Sequence, residues 1–185
     1  TREAAALGIG MVHQELNLSE NLNVAENIFL GREIQQGLKP INQAAQELIA
    51  EQLMARLDQV ISPKEMVSNL KVGQQQLIEI AKALAEQADI LILDEPTRGI
   101  DVGAKFDIYG LLAELARQGK ALVVVSSDLR ELMLICDRIA VLSAGRLIDT
   151  FERDHWSQDQ LLAAAFAGYQ KRDALLHDAA PRTDA

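Results

Sequence analysis

The chain has 185 residues, a net charge of −9 and one cysteine, and 49% of its residues are hydrophobic. This length suits one domain or slightly more, and the core must be mainly aliphatic because aromatic residues make up only 4%. The acidic balance, without any Lys/Arg cluster, argues against a general nucleic-acid binder. No apolar run reaches the roughly 20 residues that a membrane-spanning helix needs, and a single cysteine cannot form an internal disulfide.

Hydrophobic periodicity predicts strands and helices that follow one another along the chain. In chain order, we expect a short strand at 8–12, a helical turn at 24–27, helices at 42–57 and from 73 to about 84, a buried strand at 90–93, a helix at 104–117, a second buried strand at 121–125, a helix at 128–135, a strand pair at 138–142 and 146–151, and a helix at 157–166. This alternation indicates a parallel sheet covered by helices on both faces. Lys82 is expected to face outward and Cys136 to be a buried core thiol.

Two adjacent carboxylates follow the run of aliphatic residues 90–93, which predicts a strand buried on both faces. In open α/β sheets, ligands bind beyond the carboxyl ends of the strands. Charged groups at such a place need a strong partner, and Mg²⁺ carrying a nucleotide phosphate would be one. We therefore expect Asp94 to hold the metal and Glu95 to orient an attacking water. An isolated pair of this kind is more often a strand stop whose acids face solvent, so the other motifs decide between these interpretations.

The predicted helix start at Lys71, Val72, Gly73 and Gln74 is a candidate phosphate site. A helix N-terminus presents N–H groups without intrahelical partners and a positive dipole, which favour anions. Glycine at position 73 would let the backbone approach a phosphate closely. An ordinary helix start explains this motif, taken alone, equally well.

Taken together, the motifs resemble the nucleotide-binding cassette of ABC transporters, most of all the tandem-cassette ATP-binding proteins of bacterial monosaccharide importers. The resemblance covers about residues 5–168. It implies an α/β, P-loop-NTPase-like fold with a mostly parallel sheet flanked by helices, and ATP with Mg²⁺ as ligands. Residues 1–168 would be a partial cassette with a helical subdomain at about 20–87, and residues 169–185 a loose tail.

The resemblance also implies roles for residues at the predicted strand ends. Gln14, in His13-Gln14-Glu15, corresponds to the Q-loop glutamine, which reaches Mg²⁺ and the attacking water in a loop that touches the permease. Asp94 and Glu95 correspond to the Walker B acid and the catalytic glutamate. Ser127 occupies the position of the H-loop histidine. Serine can donate a hydrogen bond to a γ-phosphate but cannot carry charge as imidazole does, so a site that relies on it should be slow or inactive.

The remaining motifs are similar to parts of the family that act across a cassette dimer. Lys71, Val72, Gly73 and Gln74 resemble the signature motif, which covers the γ-phosphate held by the opposite cassette. Lys71 stands where serine is usual and Val72 where glycine is common. Lysine can still reach a phosphate as a point charge, although the hydroxyl contact is lost. Asp101 resembles the D-loop aspartate, which crosses the dimer interface; by itself it could simply cap the next helix.

The phosphate-cradling motif G-x-x-x-x-G-K-[ST] does not occur in the sequence. In the family it lies upstream of the matching region, so we expect an N-terminally truncated cassette with uncovered apolar sheet faces and strand edges. Losing three charge-assisted hydrogen bonds would cost at least roughly 4 kcal/mol, about a thousandfold in ATP affinity.

Residues up to about 93 resemble the first cassette of the tandem class, and those from Thr97 resemble the second. This suggests a hybrid formed by a deletion between the two cassettes; one divergent cassette is the alternative.

The function implied is an ATPase subunit that couples ATP hydrolysis to sugar import, bound peripherally at the cytoplasmic face of the inner membrane. Its expected partners are membrane permease subunits, a second cassette in a dimer or tandem and, indirectly, a periplasmic sugar-binding protein, with no nucleic acid. One alternative is a non-catalytic, degenerate cassette that supplies its signature motif to a partner's ATP site. Another is a soluble ABC ATPase outside transport.

Overall fold

A computed structural model describes residues 2–35, 37 and 40–178. The chain divides into two compact units, residues 1–127 and 128–185, within the range predicted as one partial cassette. The first unit contains α1 (Arg2–Ala6), β1 (Ile9–Val12), α2 (Val24–Phe29), α3 (Gln43–Arg56), a 3-10 turn (Val67–Asn69), α4 (Val72–Ala85), β2 (Ile90–Asp94), α5 (Val102–Arg117) and β3 (Ala121–Val125). The second contains α6 (Leu129–Ile135), β4 (Arg138–Ser143), β5 (Arg146–Glu152) and α7 (Gln158–Asp178).

The sheet of the first unit has three parallel strands in the order β1-β2-β3, with β2 in the centre. Val12 of β1 lies opposite Leu93 of β2, and Asp94 lies opposite Val125 of β3. Because the strands are parallel and this register places their last residues side by side, their carboxyl ends lie at one edge of the sheet.

One face of this sheet is covered and the other is exposed. Leu91 and Leu93 are fully buried on the covered side, where α4 contacts β1 and α5 contacts β3. On the opposite face, Val123 is 49% exposed and Val125 is 51% exposed. The expectation of helices on both faces was therefore wrong, and β3 is not a buried strand. The reason is that both helices reach the same face of the sheet, so the aliphatic residues of the opposite face, Met11 and Ile90 among them, remain exposed. The expectation of uncovered apolar surface is confirmed.

Side-chain caps determine where most helices begin. In α2, Asn23 accepts a hydrogen bond from the Glu26 N–H while the Glu26 carboxylate accepts one from the Asn23 N–H, which is a capping box. Asn42 caps α3, and Ser157 caps α7. Helix α5 begins at residue 102, two residues earlier than expected.

The second unit is a β-hairpin against which α7 packs. Ala144 and Gly145 both have positive φ and form the two-residue turn between β4 and β5. Ile139 and Leu161 belong to the buried core that the hairpin shares with α7. Cys136, at the end of α6, is half-buried against this core rather than fully buried.

Helix α7 is longer than the sequence predicted. It continues to Asp178 instead of ending near Phe166, so the expected loose tail was wrong for residues 169–178. The stretch between Gly168 and Pro181 contains no glycine or proline, and most of its residues are good helix formers. Residues 179–185 lie outside the described part of the chain.

Candidate functional site

The carboxyl edge of the parallel sheet brings together the segments that carry four predicted site residues. Gln14 lies two residues beyond the end of β1, Asp94 is the last residue of β2, and Glu95 follows it. Ser127 lies two residues beyond the end of β3. The register of the strands places the end of β2 between the ends of β1 and β3, so segments that are as much as 113 residues apart in the sequence (127 minus 14) lie at one edge. The site itself and the chemical roles of the four residues stay predictions.

Glu95 is held in an unusual conformation between two strand ends. Its φ is +48°, in the left-handed region that non-glycine residues rarely adopt, at a cost on the order of 1–3 kcal/mol. Its N–H donates to the Val125 carbonyl at 2.8 Å, and its Oε1 accepts from the Ser127 N–H at 2.8 Å. The side chain is thus directed toward the end of β3 by the backbone.

The hydrogen bond from the Ser127 N–H to Glu95 gives the Ser127 backbone a structural role that the sequence did not indicate. Sequence reasoning treated the Ser127 hydroxyl as a possible phosphate donor. The structure shows the main-chain N–H of Ser127 bound to the Glu95 carboxylate, a bond that any residue except proline could make. The absence of histidine at this position therefore leaves the orientation of Glu95 intact.

The donor groups at the sheet edge fit a nucleotide-bound magnesium ion better than a protein-only metal centre. Within residues 2–35, 37 and 40–178, no three His, Cys, Asp or Glu side chains form a group that could hold a metal. Mg²⁺ in nucleotide sites commonly takes only one or two protein oxygens and completes its octahedron with phosphate and water. The Asp94 carboxylate and the Gln14 amide oxygen, as predicted from the sequence, would be a donor set of that kind.

A second group of predicted residues lies where α4 and α5 begin. A Cβ atom built on Gly73 would stand 2.8 Å from the Cβ of Ala104 and 3.5 Å from Cγ2 of Ile100. The first turns of the two helices therefore touch, which brings the Lys71–Gln74 motif close to Asp101. Glycine at position 73 is explained by this close helix packing, whereas the sequence had suggested close approach of a phosphate.

The capping contacts of these two helices involve the predicted ligand-binding residues themselves. The Lys71 N–H donates to Oε1 of Gln74 at 3.1 Å, and a lysine side chain has no acceptor with which to cap α4. Asp101 Oδ1 accepts from the Ala104 N–H at 3.1 Å, so Asp101 is the cap of α5. Val72 and the Lys71 side chain are exposed. Roles for these residues toward ATP stay predictions.

Sequence reasoning missed a pair of α4 side chains that bind the loop following Gln14. Oε1 of Glu79 accepts from the Asn17 N–H at 2.8 Å, and Nζ of Lys82 donates to the Asn17 carbonyl at 3.2 Å. Glu79 is only 6% exposed, and Lys82 is half-buried rather than directed outward as predicted. A signal was present in the sequence, because Glu79 interrupts the apolar stripe of α4 between Ile78 and Ile80.

Comparison with known proteins identifies the family. Residues 1–98 match the family described as ABC transporter, which is more than half of the chain. The chain belongs to the ABC transporter family. It is 34% identical over 178 residues to the ribose import ATP-binding protein RbsA 1 of Burkholderia ambifaria, covering 92% of this chain and 34% of that protein. It is 43% identical over 161 residues to the ribose import ATP-binding protein RbsA of Rhodopirellula baltica, covering 87% and 32%. The chain thus spans about a third of the length of the curated relatives it matches.

Solved ABC cassettes share the fold. A dimeric post-hydrolysis structure of the ATP-binding cassette MJ0796, bound to ADP and Pi, matches with a TM-score of 0.64 at 25% identity, over 80% of this chain and 64% of that chain. The cassette MJ1267 matches with a TM-score of 0.71 over 90% and 70%, at 19% identity, which speaks for the fold alone. The predicted fold class, a P-loop-NTPase-like α/β cassette, is confirmed. In the described part of the chain, none of the helices has the length and apolar character needed to cross a membrane.

Proposed function

We propose that this chain is part of an ATPase that couples ATP hydrolysis to sugar import. The observation that carries the proposal is the sheet edge at which the segments of Gln14, Asp94, Glu95 and Ser127 converge. The similarity of the chain to ribose import ATP-binding proteins, over most of the chain's own length, supports sugar as the transported substrate. The sugar would be recognised by other subunits, a membrane permease and, indirectly, a periplasmic sugar-binding protein.

Each residue at the sheet edge has a chemical task in this proposal. When bound, Mg²⁺ would neutralise phosphate charge. Asp94 would hold the ion and Gln14 would offer it an amide oxygen. Glu95 orients the attacking water; one of its carboxylate oxygens accepts from the Ser127 N–H, and a carboxylate has a second oxygen for this purpose. Ser127 acts through its backbone, by keeping Glu95 directed toward the edge.

The second group would act on ATP held by another cassette, in a dimer or a tandem protein. Lys71 and Val72 are exposed at the start of α4, and the adjacent start of α5 is capped by Asp101. An ammonium group and a helix N-terminus both favour the negative charge of a γ-phosphate. The permease would contact the Gln14 loop, which would place the protein at the cytoplasmic face of the inner membrane.

The missing P-loop motif indicates that the 185 residues need a complementary segment to bind ATP tightly. A second candidate function is therefore a non-catalytic cassette that lends its signature motif to a partner's ATP. Ser127 and Lys71, both departures from the family pattern, favour it. A soluble ABC ATPase acting on DNA or ribosomes is disfavoured by the net charge of −9.

The test is ATP turnover after the upstream segment of the Rhodopirellula baltica relative is joined to residue 1. We expect vanadate-sensitive turnover that Glu95→Gln lowers at least about a hundredfold while ATP still binds. Glu51→Gln, an exposed glutamate on α3, is the matched control. Turnover that is indifferent to Glu95→Gln would refute the assignment. ATP binding without turnover, together with partner turnover that depends on Lys71, would establish the second candidate.

A further inference from the structure

We propose that Glu79 and Lys82 are positioning residues that tie the loop carrying Gln14 to helix α4 and so hold Gln14 in place relative to the sheet. The loop contact itself is independent of any nucleotide. Its meaning for catalysis rests on the function proposed above.

The grip on the loop is made entirely through the backbone of Asn17. The Glu79 carboxylate accepts from the Asn17 N–H at 2.8 Å, and the Lys82 ammonium donates to the Asn17 carbonyl at 3.2 Å. Both polar backbone groups of Asn17 are therefore bonded to side chains of α4. Glu79 and Lys82 are three positions apart and therefore lie on the same face of α4. Because the Asn17 side chain takes no part in either bond, the grip depends on Glu79 and Lys82 and not on the identity of residue 17.

Burial makes the Glu79 bond important. A carboxylate that is only 6% exposed is costly unless hydrogen bonds compensate the lost water. The Asn17 N–H supplies one such bond at a distance typical of charge-assisted contacts. Releasing Asn17 would leave Glu79 without this donor, so the buried charge opposes any motion of the loop away from α4.

The continuation of the loop is held by a second buried polar residue, Asn27 of α2. Its Oδ1 accepts from the Ser19 N–H at 2.7 Å, and its Nδ2 donates to the carbonyls of Ser19 at 3.0 Å and Leu22 at 3.3 Å. Helix α2 itself contacts α4. The segment from residue 17 to residue 22 is thus attached to a body formed by two helices.

Residues 13–16 therefore bridge two anchors. On one side, Val12 is fully buried at the end of β1; on the other, Asn17 is held by α4. Gln14 lies in the exposed part of this bridge. Loss of the α4 anchor would therefore free Gln14 to move relative to the sheet.

The first test uses the unmodified 185-residue chain. Hydrogen exchange should show the Asn17 amide protected at least about a hundredfold relative to an open peptide, because it is bonded to a buried carboxylate. Exchange of Asn17 at the rate of an unprotected loop would overturn the proposal.

The second test uses variants and a local probe. A nitroxide is attached at position 14 in a Gln14→Cys, Cys136→Ser chain, and Glu79→Leu or Lys82→Met is added. Either change should increase nitroxide mobility and raise exchange of the Asn17 amide about tenfold, while Glu79→Gln, which keeps an acceptor oxygen, should largely restore both. Lys64→Met, which removes an exposed ion pair with Glu47, is the matched control and should change neither.

The outcomes separate this proposal from the previous one. If Lys82→Met folds and leaves both readouts unchanged, the grip does not position Gln14. If Glu79→Leu does not fold, Lys82→Met and the wild-type protection of Asn17 decide. Neither readout requires ATP, so absence of turnover would count against the proposed function alone.

Discussion

Replacing Gly73 by alanine should destabilise the first unit, although alanine is the better helix former. The added Cβ would lie 2.8 Å from the Cβ of Ala104, whereas carbon atoms pack favourably at about 3.5–4.0 Å. The starts of α4 and α5 must then separate by roughly 0.7–1.2 Å, and overpacking of this kind typically costs about 1–3 kcal/mol. Up to about 1 kcal/mol of helix propensity opposes this cost, so we expect a net loss of about 1–2 kcal/mol.

Urea unfolding followed by circular dichroism measures this loss, and the chain provides a matched control. Gly110, in the exposed interior of α5, has nothing within 4 Å of a built Cβ, so Gly110→Ala should stabilise by about 0.5–1 kcal/mol. Ala104→Gly added to Gly73→Ala should recover part of the loss beyond additivity. A Gly73→Ala chain as stable as the wild type would refute packing as the reason for this glycine and would favour the phosphate explanation.

Three other outcomes follow from the same structure. Ser127→Pro removes the N–H that Glu95 accepts and should cost about 1–2 kcal/mol in urea unfolding, whereas Ser127→Ala should be nearly neutral. Val123→Lys, on the uncovered sheet face, should lower aggregation measured by light scattering without loss of secondary structure. Burial, followed by the nearby charges of Asp137 and Glu131, raises the pKa of the Cys136 thiol against the opposing effect of Arg153. Iodoacetamide should therefore alkylate Cys136 more slowly at pH 8 than it alkylates free cysteine.

Each of these has a result that would contradict it. Equal stability of Ser127→Pro and Ser127→Ala would mean that the Glu95 contact contributes nothing. Unchanged scattering for Val123→Lys would mean that aggregation begins at another surface. As the pH rises, the Cys136 thiol loses its proton in the unfolded chain before it does so in the folded protein. The stability that Cys136 contributes should therefore be complete below the ordinary thiol pKa and decline between that pKa and the raised pKa of the folded protein. A constant or rising free energy of unfolding over this pH range, after subtraction of a Cys136→Ser control, would contradict the raised pKa.

The local elements could be predicted because their signals lie within short stretches of the chain. The strand ending at Asp94, the strand over residues 121–125 and the helix over residues 43–56 all follow from hydrophobic periodicity. The placement of the strand ends before Gln14 and at Asp94 on one sheet edge also followed from the sequence, since the carboxyl ends of parallel strands share an edge. The motifs that lie along these elements were enough to identify the family.

The contacts that give those residues their surroundings were decided by the tertiary structure alone. Whether a strand face is covered depends on which elements reach it, so the exposure of Val123 could not be read from its aliphatic neighbours. Gly73 is required by Ala104, on another helix, and the grip on Asn17 joins residues 62 and 65 positions apart. Periodicity reports only which side of an element is apolar; which polar groups meet across such separations is settled when the elements pack against one another.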